Sequence, residues 1–134
     1  MGSLFFLSIG FLLALPIIFA ARKLFPLKDH SFWRWGLVIA ALIYVVFVLM
    51  DSAMNHLPME LGGVAIYSLF AWLSKKYTLH WLAVGWALHI CWDVFLHSGQ
   101  LTPYVPAGYA VTCIGFDIAI AGYIGWLIWE RRKN

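Results

Sequence analysis

The chain has 134 residues, of which 63% are hydrophobic and only 11% are charged, and its mean hydropathy is +0.85. A soluble domain carries charge on about a quarter of its residues, so this composition argues against a soluble protein and indicates helices that face lipid. The formal net charge of +3 does not indicate nucleic-acid binding, because the basic residues form short clusters between apolar runs.

Five long apolar segments follow one another along the chain. They cover residues 4–21, 32–50, 58–74, 78–97 and 107–129, and each is long enough for a helix to cross a hydrocarbon core of about 30 Å. Helices are predicted because open strands would leave backbone groups unpaired in lipid. Gly115, Ala119 and Gly122 in the last segment predict the close approach of a neighbouring helix. We therefore predict an all-α integral membrane protein, a single five-helix transmembrane bundle over residues 1–134.

All nine lysine and arginine residues fall on one side of this five-helix path. They lie between segments one and two, between three and four, and after segment five: Arg22, Lys23, Lys28, Arg34, Lys75, Lys76, Arg131, Arg132 and Lys133. Because cytoplasmic loops carry the excess of basic residues, we predict an external N-terminus and a cytoplasmic C-terminus. The expected location is the plasma membrane, the inner membrane of a bacterium.

Several ionisable residues lie in the outer half of the predicted bundle, where no lysine or arginine accompanies them. They come from four segments or their ends: Asp51, His56, Glu60, His89, Asp93, His97 and Asp117. A charge inside the membrane costs about 2.5–3.5 kcal/mol on the insertion scale, so these groups require protons, protonated histidines or a metal cation. Histidine and carboxylate ligands without cationic side chains are typical of a divalent metal site.

The stretch HICWDVFLH, residues 89–97, concentrates this pattern in the fourth segment. His89, Asp93 and His97 are four residues apart, so on a regular helix they share one face, each raised by about 6 Å. The two histidines are then about 12 Å apart along the axis. One ion between the histidines, two ions bridged by Asp93, and one histidine ligand oriented by Asp93 all remain compatible with this spacing.

The alternative to a metal site is a set of hydrogen bonds between helices. A lone polar residue in a membrane helix more often makes such a bond than binds a metal. We favour this interpretation for Asp51 and His56, which lie at an interface. Three costly residues on one stripe favour a functional site instead, while Asp117 and Glu60 fit both interpretations equally.

The same residues carry two family resemblances. A five-segment chain with HxxxDxxxH in the fourth segment and Asp117 in the fifth resembles a group of small bacterial integral membrane proteins without an assigned activity. His89, Asp93, His97 and Asp117 are also similar in type to the zinc ligands, three histidines and an aspartate, of the seven-helix membrane hydrolases that include the alkaline ceramidases. The chain departs from those hydrolases in having five segments and in placing Asp93 between two histidines. The second resemblance therefore implies a shared chemistry only.

We expect a metal-dependent membrane enzyme, a hydrolase that acts on a lipid-like substrate from the outer half of the bilayer. Zinc, the favoured divalent ion, would lower the pKa of its bound water toward about 7 and present hydroxide to an ester or amide. The candidate ligands are His89, Asp93, His97, Asp117, Glu60 and His56; the catalytic candidates are Glu60, as general base, and Asp93, as bridging or orienting carboxylate. Iron suits the same residues in a di-iron oxidase or hydroxylase. The loop SGQLTPYVPAGY before the last segment either covers the site or lies at the interface.

Two other functions are compatible with the sequence. Intramembrane acids and histidines also mark proton or cation pathways, so a transport or relay protein is one alternative. Against it, His80 is the only histidine within the inner half of a predicted helix, and five segments do not divide into two inverted repeats. The other alternative is a structural membrane subunit with a hydrogen-bonded polar core. The expected partners are membrane lipid and a hydrophobic substrate, with no nucleic acid.

Overall fold

In a computed structural model the chain folds into five helices joined by short connections. The structure describes residues 2–26, 28–97, 101–106 and 108–133; 86% of these residues are helical, and they contain no strand. The helices are α1 (Gly2–Leu24), α2 (Ser31–Met50), α3 (Leu57–Lys76), α4 (His80–Trp92) and α5 (Tyr109–Lys133). The prediction of five helices in an all-α chain is confirmed. The predicted start of the last helix, residue 107, lies outside the described residues.

Among the described residues, four stretches are long and apolar enough to cross a membrane. They are Gly2–Leu24, Ser31–Met50, Met54–Lys76, which includes a 3₁₀ turn before α3, and Tyr109–Lys133. The regular part of α4 has only 13 residues, and a π turn over Asp93–His97 continues it to the predicted end of the fourth segment. Large apolar side chains remain exposed on the outside of the bundle, as helices that face lipid require. These features are consistent with a membrane protein.

The helices pack in the spatial order α1, α5, α4, α3 and α2. α5 packs against α1 and α4, and α3 packs against α4 and α2. Among the described residues, α1 and α2 are neighbours in the chain but make no extensive contact with each other. α4 therefore lies between two other helices, and a gap between α1 and α2 opens the side of the bundle.

Glycines allow α1 and α5 to touch backbone to backbone. A Cβ atom at Gly10 would overlap the carbonyl oxygen of Thr112, and one at Gly115 would overlap the carbonyl oxygen of Leu7. A Cβ atom at Gly122 would meet open space. The predicted close approach is therefore confirmed at Gly115 but is wrong at Gly122, which is exposed.

The half of the bundle nearer the basic residues is called here the inner half, and the opposite half the outer half. The inner half has an apolar core. Its largest fully buried side chains include Leu37, Leu82, Trp86, Ile120 and Ile124, contributed by α2, α4 and α5. This layer separates the buried polar residues of the outer half from the basic end of the bundle. Polar chemistry inside the helices is therefore concentrated in the outer half, as the sequence predicts.

Candidate metal centre

The π turn at the end of α4 changes the predicted stripe of three ionisable residues. A π turn holds more residues than an α-helical turn, so side chains after Asp93 rotate relative to those before it. His89 and Asp93 keep their i, i+4 relation on α4, with His89 Nδ1 3.5 Å from Asp93 Oδ2. His97 ends the turn and points to different neighbours. The expectation that all three share one face is therefore wrong for His97.

His89, Asp93 and Asp117 form a buried cluster between α4 and α5, called here the inner cluster. His89 Nδ1 lies 2.6 Å from Asp117 Oδ2. One potential ligand atom from each of the three residues lies within 4.8 Å of the others, so small side-chain movements would bring all three onto one ion. None of them is more than 1% exposed. The cluster can therefore hold a metal ion, which agrees in part with the predicted ligand set.

Two polar atoms of the inner cluster have no hydrogen-bond partner among the described residues. They are His89 Nε2 and Asp93 Oδ2. An unpaired polar atom in an apolar interior is costly, so both atoms require a proton, a water molecule or a cation. When Asp117 is ionised, His89 Nδ1–H donates to it, and Nε2 keeps a free lone pair. A carboxylate that orients histidine in this way is the usual partner of a metal-binding imidazole.

Two tyrosines hold the inner cluster from the neighbouring helices. The hydroxyl of Tyr44 on α2 donates to Asp93 Oδ1 at 2.7 Å. Tyr67 on α3 donates to the carbonyl oxygen of Leu88 at 3.1 Å, and its ring meets the His89 ring edge to face at 5.0 Å. Neither tyrosine was predicted from the sequence. A tyrosine within an apolar segment is a usable indication of such a contact, because its hydroxyl needs a hydrogen-bond partner when it is buried.

Glu60, His97, Thr102 and Tyr104 form a second buried group nearer the outer end, called here the outer cluster. Glu60 Oε1 accepts a hydrogen bond from the Tyr104 hydroxyl at 2.6 Å and lies 3.1 Å from His97 Nε2, without the alignment of a hydrogen bond. Burial, followed by the bond to Glu60, raises the pKa of Tyr104, so its hydroxyl stays protonated. Two predicted ligands, Glu60 and His97, thus lie together but outside the inner cluster.

The hydrogen bonds of Thr102 constrain the protons of the outer cluster. Its hydroxyl donates to the carbonyl oxygen of Leu96 at 2.8 Å, so it accepts from His97 Nδ1–H at 2.9 Å. This bond turns the other nitrogen of the ring, His97 Nε2, toward Glu60 Oε1.

Tyr44 joins the two clusters. Its ring stacks on the His97 ring, with centroids 3.8 Å apart and an angle of 18° between the planes, while its hydroxyl bonds Asp93. Polar side chains therefore lie next to one another from Asp117 to Tyr104, and the contact between Tyr44 and His97 is ring stacking and not a hydrogen bond. The series draws on four helices and the connection before α5, so the spacing along any one helix does not predict it.

The remaining predicted residues lie at the outer edge. His56 is half-buried, with its ring 5.0 Å from the ring of Tyr104, and Asp51 is exposed after α2. Neither belongs to the inner cluster, so the metal-ligand role predicted for His56 has no geometric support. Residues 98–100 and 107 of the loop considered as a cover lie outside the described residues. Within the described part, Thr102 and Tyr104 are buried against the outer cluster.

An apolar groove reaches the inner cluster from the side. It has a volume of about 340 Å³ and occupies the gap between α1 and α2, with α4 and α5 as its floor. Leu13 and Ile39 lie on its walls, and Trp86 and Asp117 contribute to its lining. The sequence analysis did not anticipate this groove, which connects the outside of the bundle with a carboxylate of the inner cluster.

The chain has no detectable similarity to known proteins in the three comparisons made. No family model matches the chain, and no curated protein or solved structure is significantly similar to it. Both resemblances drawn from residue types therefore stay predictions. The chemistry of the site is inferred from the donor set, burial and distances given above.

Proposed function

We propose that the protein is a metal-dependent membrane hydrolase that cleaves an ester or amide in a lipid-like substrate. The observation that carries this proposal is the inner cluster: His89, Asp93 and Asp117 bring ligand atoms within 4.8 Å of one another, and two of their polar atoms lack partners. Three nitrogen and oxygen ligands leave one position of a tetrahedral zinc ion open. Zinc bound there would supply hydroxide at neutral pH and polarise a carbonyl group. A di-iron centre is less favoured, because it needs more ligands than the three grouped here.

The protein residues have separate roles in this mechanism. Tyr44 holds the Asp93 carboxylate through the 2.7 Å hydrogen bond to Oδ1, so the unpaired Oδ2 atom of Asp93 would be free to bind the ion. Asp117, which lies 2.6 Å from His89 Nδ1, would exchange this contact for a bond to the ion. Glu60 lies in the outer cluster, so this proposal gives it no role as the general base.

The apolar groove supports a lipid-like substrate. A site of about 300–1,000 Å³ with apolar walls and a few polar groups is typical of small-molecule binding, and the groove has about 340 Å³ with Asp117 at its floor. Trp86 also lines the groove, and its indole Nε1 is buried without a hydrogen-bond partner among the described residues. An oxygen atom of a bound substrate would satisfy this donor. Opening between two helices, the groove admits a substrate directly from the bilayer.

Narrowing the groove is expected to reduce activity without reducing metal content. In Ala40→Phe the added ring enters the groove wall, so we expect at least a tenfold loss of kcat/KM, about 1.4 kcal/mol. Ala20→Phe, on the exposed face of α1 and outside the groove, is the matched control. The measurement is hydrolysis of fluorescent lipid esters and amides by purified protein, with metal determined in the same samples. Equal activity in the two variants would contradict entry through the groove.

The proposal as a whole is tested by elemental analysis of purified wild-type protein together with hydrolysis of the same substrate panel. We expect close to one zinc ion per chain and activity that a chelator removes and zinc restores. If the protein binds no divalent metal under any preparation, the cluster is a hydrogen-bonded polar core and the structural alternative is favoured. Bound metal without hydrolysis would reject the hydrolase while keeping the metal site.

The proposed orientation has an external N-terminus and a cytoplasmic C-terminus in a plasma membrane. All nine basic residues support it, because they lie on one side of the five-helix path. We expect a cysteine introduced beside Lys75 or Arg131 to be protected from an impermeant maleimide in intact cells. A cysteine introduced at Ser3 should react. The opposite labelling pattern would show that the orientation is reversed, and the two clusters would then lie nearer the cytoplasmic side of the membrane.

A proton relay is the second candidate, and the series of neighbouring polar side chains from Asp117 to Tyr104 favours it. Directed transport would need a continuation through the inner half. There, among the described residues, Leu82, Trp86, Ile120 and Ile124 form an apolar layer instead. The series therefore suits proton delivery to a buried site better than movement across the membrane. Proton flux into proteoliposomes, measured with a trapped pH dye, distinguishes the two, since only a transporter would produce it.

A further inference from the structure

A second cavity, called here the basic cavity, lies at the opposite end of the bundle from the inner cluster. It has a volume of about 420 Å³ and is lined by residues from the connection before α2, the start of α2, the α3–α4 connection and the end of α5. Its lining contains one tyrosine, and the other titratable residues in it are all basic or histidine: Lys28, His30, Arg34, His80, Arg131 and Arg132. No aspartate or glutamate of the described residues lines it.

Neutral partners position two of the guanidinium groups. Arg34 donates from Nε to Ser74 Oγ at 2.9 Å and from a terminal nitrogen to the Ser74 carbonyl oxygen at 3.4 Å. Arg131 lies 2.8 Å from His30 Nε2. Burial, then the charges of Arg131 and Arg34, lower the pKa of His30, so its neutral ring accepts this hydrogen bond. Ser74 and His30 are 4% and 5% exposed, which makes them fixed supports for the arginines.

The positive charge of this cavity is not balanced by the protein. Within the described part of the chain, every ion pair with a carboxylate at 4.0 Å or less involves histidine, and none involves lysine or arginine. Two acids lie nearby in the chain, Asp29 and Glu130, and neither lines the basic cavity. Asp29 is exposed, accepts the Ser31 backbone N–H at 2.9 Å, and lies in the wall of a different cavity. Gathering like charges around a cavity is unfavourable unless an anion binds between them.

Membrane orientation alone does not require this arrangement. Five of the nine basic residues lie on the same side of the bundle without lining the cavity: Arg22, Lys23, Lys75, Lys76 and Lys133. Four of these lie over aromatic rings, as interfacial residues do. The other four basic residues converge on one volume from three separate parts of the chain, with two guanidinium groups held in position.

We propose that the basic cavity binds a phosphate group, carried by an anionic lipid or by a soluble molecule. Arginine pairs with phosphate through parallel hydrogen bonds, and two positioned guanidinium groups flanked by Lys28 and Arg132 provide such donors. The cavity lies where the basic clusters meet the membrane surface, a position at which proteins recognise lipid head groups. The site is separate from the inner cluster and does not depend on the proposed hydrolase.

The test measures the unfolding temperature of the full chain in neutral detergent. The protein is titrated separately with inorganic phosphate at constant ionic strength, with phosphatidylglycerol, and with phosphatidylcholine, a lipid of no net charge. We expect phosphatidylglycerol to raise the midpoint more than phosphatidylcholine. In the double variant Arg34→Gln/Arg131→Gln, the apparent affinity of the protein for phosphatidylglycerol should fall at least about tenfold, because hydrogen bonds to a charged group are lost. Arg22→Gln/Lys23→Gln removes the same charge on the same side but outside the cavity, and should stay within about twofold of wild type.

Each outcome decides the proposal. Stabilisation by inorganic phosphate that the cavity variant loses indicates a soluble phosphate ligand, and stabilisation by phosphatidylglycerol alone indicates a lipid head group. If the double variant does not fold, Arg132→Gln, which changes an exposed lining residue, replaces it with an expected loss of about threefold or more. No stabilisation by either anion, or equal losses in the cavity and control variants, would overturn the proposal.

Discussion

Replacing His89 by alanine is expected to remove the bound metal and the hydrolytic activity together. His89 is the only nitrogen donor of the inner cluster, is fully buried, and lies within reach of both carboxylates. Loss of this ligand leaves two buried acids that must then bind protons. We therefore expect the affinity for the metal to fall by more than about 100-fold. Loss of a residue that only orients a ligand has a smaller effect, about 10–100-fold. The measurement is zinc per chain by elemental analysis, with circular dichroism to verify that helix content is unchanged.

The matched control is His80→Ala, which removes an exposed histidine from the start of the same helix. Alanine is the better helix former at both positions, so helix formation itself is not weakened. Asp93→Asn then separates two roles of the carboxylate. A ligand role predicts a loss as steep as that of His89→Ala, and a purely orienting role predicts a loss of about 10–100-fold. Full metal content in both His89→Ala and Asp93→Asn would contradict a metal centre at the inner cluster.

Replacing Gly115 by alanine is expected to destabilise the bundle, because the new methyl group would overlap the carbonyl oxygen of Leu7. A backbone atom cannot yield as a flexible side chain can, so α1 must move away from α5. Overpacking of this kind typically costs about 1–3 kcal/mol. Unfolding monitored in mixed detergent micelles measures the free energy, and metal content reports whether the displaced helix disturbs Asp117, two residues further along α5.

Gly122→Ala is a close control for this prediction, since it makes the same change in the same helix where a Cβ atom meets open space. We expect it to be neutral or slightly stabilising, because alanine favours helix over glycine by about 1 kcal/mol. Similar unfolding free energies for the two variants would mean that α1 and α5 do not need the close contact at Gly115.

The physics of the bilayer explains why the sequence alone predicts so much of the fold. Apolar segments of sufficient length must form helices in hydrocarbon, where backbone groups can pair only within the segment, and all five helices are found near their predicted positions. The absence of cationic residues beside the buried acids likewise indicates a site in the outer half. Within α4, the i, i+4 spacing correctly brings His89 and Asp93 together, because this relation depends only on regular helical geometry.

Only the tertiary structure decides which residues from different helices meet. The buried and exposed faces of these helices both carry large apolar side chains, so the pattern of hydrophobic residues does not fix the rotation or the partners of a helix. The contact of Asp117 with His89 depends on how α5 packs against α4, and the support from Tyr44 depends on the position of α2. The separation of His97 from the inner cluster depends on a π turn, a local change in hydrogen bonding that the spacing of ionisable residues does not reveal. The groove likewise exists because α1 packs on α5 through Gly10 and Gly115 instead of on α2, a choice made by backbone contact between two distant helices.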